Sequence, residues 1–437
     1  MTDALRQSRV RPAFLGASIV VFAILVPVVV HASWDYVETR RLQRQVEAIK
    51  AKGEPVEPRP YKPMSPEEKL TQSYYRAAAA LASGLDYGDS MWGNNSLQLY
   101  RADRSGDWTD DLIQILRVEV GRSGDILKYA DLAAPGPFAG FESSYSYLTS
   151  DLWRVARLSG YRALIESRDD HGAAAVDSLF TQFTLNRRLE FSLQPLSLPN
   201  LAFVLEHGHP SRESLVKLIS TLDDPNGGED ALRRLLMMQR ARYLSDPVSN
   251  PLVRSGRRHW AAFVTRPLEA HALNSRLETL GRIIDSARGG WPEQIDAAGA
   301  AAPDTVMPGV GITTTWRNLV SEDAKRIGSS LTRYRIARTA AAIEAYRRDH
   351  GEQLPADLNA LVPTYLPLAP PDPFSGKPLI FKTSSDEYVI YGFGPDRQDS
   401  LGDIAARPSG EKRTDLVDGP DIGMRVRLTQ THIQKGA

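Results

Sequence analysis

The sequence predicts a mostly α-helical protein with an α+β module at its C-terminal end and one transmembrane helix at its start. Three observations predict this. An uncharged run, "AFLGASIVVFAILVPVVV", extends from Ala13 to Val30. From residue 65 to about 290, apolar residues recur at helical spacing with few strand-like runs. Near the end, "LIFK" and "EYVIYGF" flank "TSSD", the pattern of a β-hairpin, after a helix that stops at Gly351.

With 437 residues the chain exceeds one ordinary core, so about two or three domains are expected. Lys+Arg and Asp+Glu are both 53, so no global basic excess points to nucleic acid and no acidic excess to a solvating tail. Cysteine is absent, which rules out disulfides, thiolate catalysis and Cys-ligated zinc.

At the N-terminus, 1–12 are expected in the cytoplasm and 13–32 in the membrane. Eighteen apolar residues rise about 27 Å as a helix, enough to cross a bilayer core. Arg6, Arg9 and Arg11 lie before the run, and Trp34 and Tyr36 follow it as an aromatic belt. This asymmetry predicts a single-pass cytoplasmic (inner) membrane protein with its bulk extracytoplasmic. The alternative is a signal peptide cleaved near Ala32, releasing the remainder; the apolar run is longer than the usual signal core.

Residues 33–64 read as a solvated stalk helix, in which Arg40, Arg41, Arg44 and Lys50 alternate with Glu38 and Glu47, followed by the spacer "GEPVEPRPYKPMSP". An irregular, repeat-like helical domain is expected over 65–290. Ser65, Pro66 and Glu68 form a capping-box start, and Leu70, Tyr74, Ala77 (or Ala78) and Leu81 fall on one face of the helix that follows. Leu112, Ile115, Leu116 and Val120 mark another helix. Two more meet at the break "DDHG", and a further pair flanks the loop "DDPNGG". Residues 291–325, rich in Gly, Ala and Pro, read as a linker.

The last module is expected over 326–437. Ile336, Ala340, Ile343 and Tyr346 give a helix from Leu331 to His350, with Arg347 and Arg348 in its last turn and Gly351 as its left-handed stop. "LPADLNALVPTYLP" predicts a short helix, and "MRVRL" a third strand beside the hairpin. The alanine-rich helix ending "YRRDHG", then "DPFSGKPL", the strand "YVIYGFGPD" and an acidic loop ending "GPDI" resemble the globular head of the major pseudopilin of type II secretion, from Leu331 to about Leu428. That resemblance implies a helix laid on a small antiparallel sheet and a calcium ion in the acidic loop. By motif position Asp396 and Asp421 carry over first as ligands and Asp399 next; Asp403, Asp415 and Asp418 lie in the same loop. Carboxylates are the hard oxygen donors calcium takes. Unlike a pseudopilin, most of this chain separates the membrane helix from the head, and "FLGASIV" has Gly16 without the acidic residue of a processing site.

The remaining motifs are weaker. His207-Gly208-His209 supplies two imidazoles without a third or fourth ligand. Ser214 and Lys217 match S-x-x-K, with Lys382-Thr383-Ser384 as a distant echo of the third motif of penicillin-interacting enzymes, but no S-D-N element lies between them. Pro308-Gly309-Val310-Gly311 lacks a dinucleotide fingerprint. Asp169-Asp170 and Asp223-Asp224 read as helix breakers. No catalytic residue is predicted. The expected function is that of a membrane-anchored interaction protein whose helical domain binds a protein partner and whose head serves as a docking unit, linked to secretion or envelope assembly. Two alternatives stay open: an envelope hydrolase with a site assembled from distant residues, and a minor component of a type II secretion or pilus-like fibre.

Overall fold

A computed structural model describes residues 3–57, 64–85, 96–137, 146–188, 197–223, 230–246, 250, 260–300, 313–404, 407–408, 416–417 and 420–428. The described helices are α1 (Asp3–Ala51), α2 (Pro66–Ser83), α3 (Ser96–Ser105), α4 (Asp110–Arg122), α5 (Gly124–Ala133), α6 (Ser146–Arg168) and α7 (Gly172–Arg188). They continue with α8 (Leu198–His207), α9 (Arg212–Thr221), α10 (Ala231–Ser245), α11 (Trp260–Ser286), α12 (Trp291–Ala300) and α13 (Thr313–Asp349). Strands β1 (Ile380–Thr383), β2 (Glu387–Gly392), β3 (Arg407–Pro408), β4 (Leu416–Val417) and β5 (Ile422–Arg427) complete the order. The predicted class, helices with a small antiparallel sheet at the end, is the one observed.

The boundaries differ from those expected. The chain divides into two compact units: one gathers Met1–Lys62 with Arg233–Arg288, the other Pro63–Leu232 with Gly289–Ala300 and Asp304–Ala437. The expected 65–290 domain is therefore cut within α10, and its last part belongs with the N-terminal helix.

In the first unit, α1 runs unbroken through Pro27. The stalk is not solvated all round. Leu42 and Ile49 are buried with Leu244, Leu273 and Leu277, and Val46 packs against the same cluster. The spacing 42, 46, 49 is one helical face, and α11 covers it. Just beyond α1, Glu54 accepts from Arg233 at 2.9 Å and Arg240 at 2.8 Å, tying α10 to the chain that leaves α1.

In the second unit, local signals place the helix ends. The Ser65 side chain accepts from the Glu68 amide while Glu68 accepts from the Ser65 amide. Thr109, Ser197 and Ser211 cap α4, α8 and α9 by accepting from the amides of Leu112, Asn200 and Ser214. The α6–α7 hairpin turns at Asp170, whose φ is 60°. The predicted face of α2 is not its core face. Tyr75, Ala78, Ala79 and Ala82 are buried, whereas Leu70 is 53% and Leu81 43% exposed.

The C-terminal module is built into this unit. β1 pairs with β2 and β2 with β5, all antiparallel, with Ile390 opposite Phe381 on one side and Met424 on the other. Ile336, Ala340 and Ile343 of α13 are buried, as are Tyr388, Ile390, Met424 and Val426 of the sheet. α13 begins earlier than predicted, at Thr313, and ends at Gly351, whose φ is +62°. "LNAL" forms a single 3-10 turn, Leu358–Leu361, not an α-helix. Part of the expected linker is a helix: α12 buries Trp291, Ile295 and Ala298. A Cβ on Gly328 of α13 would lie 3.1 Å from the Phe374 ring and 3.5 Å from Ile295, so the glycine permits this close packing. α8 and α9 also pack on the module: the Arg427 amide donates to Glu206 at 2.8 Å, and Arg212 bonds Asp349 at 2.7 Å.

Candidate functional site

Two places emerge from the residues upward, an acidic loop beside the sheet and an apolar face on the helices.

The loop follows β2 and returns at β5. The Asp421 carboxylate is buried and accepts from the Ser400 amide at 3.2 Å and the Gly402 amide at 2.8 Å. Asp399 accepts from the Leu401 amide at 2.8 Å and the Tyr391 hydroxyl at 3.2 Å. Asp396 accepts from the Gln398 amide at 3.1 Å. These bonds hold Arg397 and Leu401 at positive φ, a conformation that costs a side-chain residue free energy unless its surroundings fix it. Lys382 lies over the Tyr391 ring and donates to the Leu401 carbonyl at 3.1 Å. The structure thus brings Asp399 and Asp421 to one turn, 400–402, and engages Asp396 at the next turn upstream. Asp399 takes both of its bonds on Oδ1, whereas Asp421 takes one on each oxygen. Yet among the described residues no three carboxylates or imidazoles form a group that could hold a metal ion. Asp415 and Asp418 lie outside the described residues.

The other motifs have ordinary partners. His207 stacks on Phe203, with ring centroids 4.1 Å apart, and its Nδ1 lies 3.0 Å from the Phe203 carbonyl. Burial is the main force holding its pKa below the usual histidine range. Lys217 donates to Asp177 at 2.6 Å, while Ser214 meets Ser211 at 3.0 Å, so serine and lysine of the S-x-x-K motif turn to different neighbours. Asp169 pairs with Arg117. The glycines of 308–311 lie outside the described residues.

The apolar face sits on α2 and α5. Leu70 and Leu81 of α2 are exposed, while Tyr74 between them is half-buried and packs on the core. Tyr74 meets Tyr129 of α5 with centroids 6.2 Å apart, and one turn on Leu132 is 47% exposed. A single exposed leucine means little; here three, Leu70, Leu81 and Leu132, lie on two neighbouring helices whose tyrosines Tyr74 and Tyr129 pack on the core. The signal was in the sequence as a stripe; only its direction was misassigned.

Sequence reasoning missed the buried polar centres, whose members are far apart in the chain. Asp103 accepts from Arg157 at 2.8 Å, Tyr161 at 2.9 Å and Asn200 at 3.3 Å, and Trp108 donates to Asn200 at 3.1 Å. This network joins α3, α6 and α8 around a satisfied charge, a structural rather than a reactive arrangement. Between α1 and α11, Glu38 is 6% exposed; it lies 2.8 Å from His271 Nδ1, and Asn274 donates to its carboxylate at 2.9 Å. Burial pushes the Glu38 pKa up, but the bonds from His271 and Asn274 and the charges of His271 and Arg41 outweigh it, so the group stays below the usual glutamate range.

No family model matches this chain, and no curated protein or solved structure is significantly similar to it.

Proposed function

We propose that this chain is an inner-membrane protein, anchored by residues 13–32 with its N-terminus in the cytoplasm and its bulk extracytoplasmic, and that it works by binding another protein. One observation carries the anchor. The apolar stretch of α1 is exposed along its described length, from Val21 at 53% to Val30 at 61%, where a soluble core helix would be covered. By length and composition this N-terminal helix suits a membrane span or a signal sequence. Its unbroken course through His31-Ala32-Ser33 into the part packed on α11 favours retention over cleavage near Ala32. A reporter active only outside the cytoplasm, fused after Ala437, is expected to be active, and the full-length chain to need detergent for release. An inactive fusion, or a mature chain beginning near Ser33, sinks the anchored reading.

The α2–α5 face supports the binding role, because it carries three exposed leucines, Leu70, Leu81 and Leu132. A photoreactive residue at Leu70 or Leu132 is expected to crosslink one protein species in cells, and Leu81→Glu to abolish that species; a partner captured equally from the opposite side of α2 refutes this. The pseudopilin-like resemblance supports a place near secretion or envelope assembly. Within this chain the head completes the core of the second unit through α8, α9 and α12. Calcium is a second reading of the loop, favoured by the convergence of Asp399 and Asp421 on one turn. Calorimetry that finds neither heat nor a melting shift at millimolar calcium removes it.

A further inference from the structure

The charges of α1 just past its apolar span are sorted by side. Residues 13–32, rising about 1.5 Å each, cover about 30 Å, the thickness of a bilayer core. Asp35, Glu38 and Arg40 follow directly. Both acids face α11: Asp35 pairs with Arg266 at 3.4 Å, and buried Glu38 meets His271 at 2.8 Å and Asn274 at 2.9 Å. Arg40 lies about half a turn round from Glu38 and Leu42, and it is exposed. Its Nε donates to the Tyr36 hydroxyl at 3.3 Å, and its guanidinium carbon lies 5.5 Å from the centre of the Tyr36 ring. The side chain is thus folded back one turn toward the span. Tyr36 itself is 62% exposed. Its Cα stands about 6 Å past Ala32, within the headgroup layer, which adds about 5–7 Å on each side of the hydrocarbon. An extended Arg40 would stand clear of that layer; the folded one lies in it. No carboxylate pairs with Arg40 among the described residues. With Nε given to the tyrosine, the two terminal amino groups of the guanidinium remain as donors.

We propose that Tyr36 and Arg40 form a binding site for an anionic phospholipid headgroup in the leaflet where α1 leaves the bilayer, with the guanidinium on the phosphate and the phenol O–H donating beside it. This rests on the reading of α1 as an anchor. A planar guanidinium matches a phosphate as a charged fork. A lipid is the occupant because the pair directly continues the exposed apolar span and lies at the height of its headgroups. The charge of Arg40 favours a headgroup with net negative charge over a zwitterionic one, by about five-fold for a single basic residue at a membrane surface. The consequence is depth: an arginine held on a phosphate opposes sliding of α1 along the bilayer normal.

The chain has no cysteine, so a fluorophore on Val37→Cys, an exposed position between the two residues, reports from one place only. The full chain is reconstituted in phosphatidylcholine vesicles containing phosphatidylglycerol. Either lipid carries the same nitroxide quencher on its acyl chain near the ester. Because the probe sits past the C-terminal end of the span, Arg6, Arg9 and Arg11 at the other end do not contribute. The expected result is stronger quenching by labelled phosphatidylglycerol than by labelled phosphatidylcholine. That preference should disappear in Arg40→Gln and persist in Arg44→Gln, which removes the same charge one turn farther from the bilayer. Equal quenching by the two lipids, or a preference that survives Arg40→Gln, overturns the inference and leaves the anchor intact. A preference lost equally in both variants reflects general charge and overturns it too. Quenching by neither lipid puts Val37 away from the bilayer and removes the anchor with the site.

Discussion

Each unit of this protein buries a glutamate beside a long helix, and the two are treated differently. In the second unit Glu344 of α13 is 1% exposed; it accepts from Arg347 at 2.8 and 3.0 Å and from the Tyr388 hydroxyl at 2.8 Å. In the first, Glu38 of α1 is held by His271, whose side chain is 44% exposed, and by the amide of Asn274. An arginine stays charged at any pH a protein survives, and with the Tyr388 hydroxyl it lets Glu344 join helix to sheet. The same acid is therefore held by a guanidinium and a phenol in one place and by an imidazole and an amide in the other, and what differs is the chemistry of its partners.

Removing Glu344 is expected to cost most. Glu344→Ala leaves Arg347 buried without its main counter-charge and the Tyr388 hydroxyl without an acceptor. Breaking a buried pair from one side costs about 3–5 kcal/mol. Denaturant unfolding followed by circular dichroism measures it, and a loss under about 1 kcal/mol would mean that Glu344 is no clamp. Tyr388→Phe removes one donor and leaves the arginine, so the cost falls to about 1–2 kcal/mol.

Glu38→Gln is expected to cost about 1–2 kcal/mol at neutral pH, since hydrogen bonds to a charged group exceed neutral ones. Its diagnostic feature is the pH profile. The folded pKa of Glu38 lies below the unfolded one, so its contribution is present above the ordinary glutamate range and fades as pH falls through the depressed value. Detergent-solubilised wild type should lose this increment on acidification while the Gln variant does not. Parallel acid profiles for the two proteins would mean that the charge of Glu38 contributes nothing to stability.

The two glutamates also mark what could be read in advance. Features written within a few residues were legible: the Ser65–Glu68 capping box, the "DDHG" break, the Gly351 stop and the Met424 strand. Features decided by a distant partner were not. Glu38 and His271 stand 233 positions apart, and no local pattern pairs them. In α2, two stripes of equal spacing compete; Leu70 and Leu81 looked the more hydrophobic, but the alanine stripe with Tyr75 is the one that lets α5 and α6 approach closely. Residues 291–300 were hidden by composition: Trp291, Ile295 and Ala298 have helical spacing, yet the surrounding Gly, Pro and Ala read as a loop. Of the candidate site, the acidic residues could be found by motif, whereas their capture by the amides of 398–402 depends on loop conformation.

The smallest effect belongs to a third acid, Asp349 at the end of α13, which sharpens the comparison by removing burial from it. It accepts from exposed Arg212 at 2.7 Å and from the Tyr365 hydroxyl at 2.7 Å. Water screens a pair of this kind, so Asp349→Asn is expected to leave neutral stability unchanged within error. It should instead alter Tyr365, whose phenol is pushed up to about 12, first by burial and then by the bond to Asp349. A phenol with a raised folded pKa contributes stability that is whole below its unfolded value and is lost as pH rises through the folded one. Tyrosinate absorbance, taken as the difference from Tyr365→Phe, should show Tyr365 titrating at lower pH in Asp349→Asn than in wild type. An unchanged titration would mean that burial alone sets the phenol, and that an exposed acid with two partners does no more than an exposed acid with none.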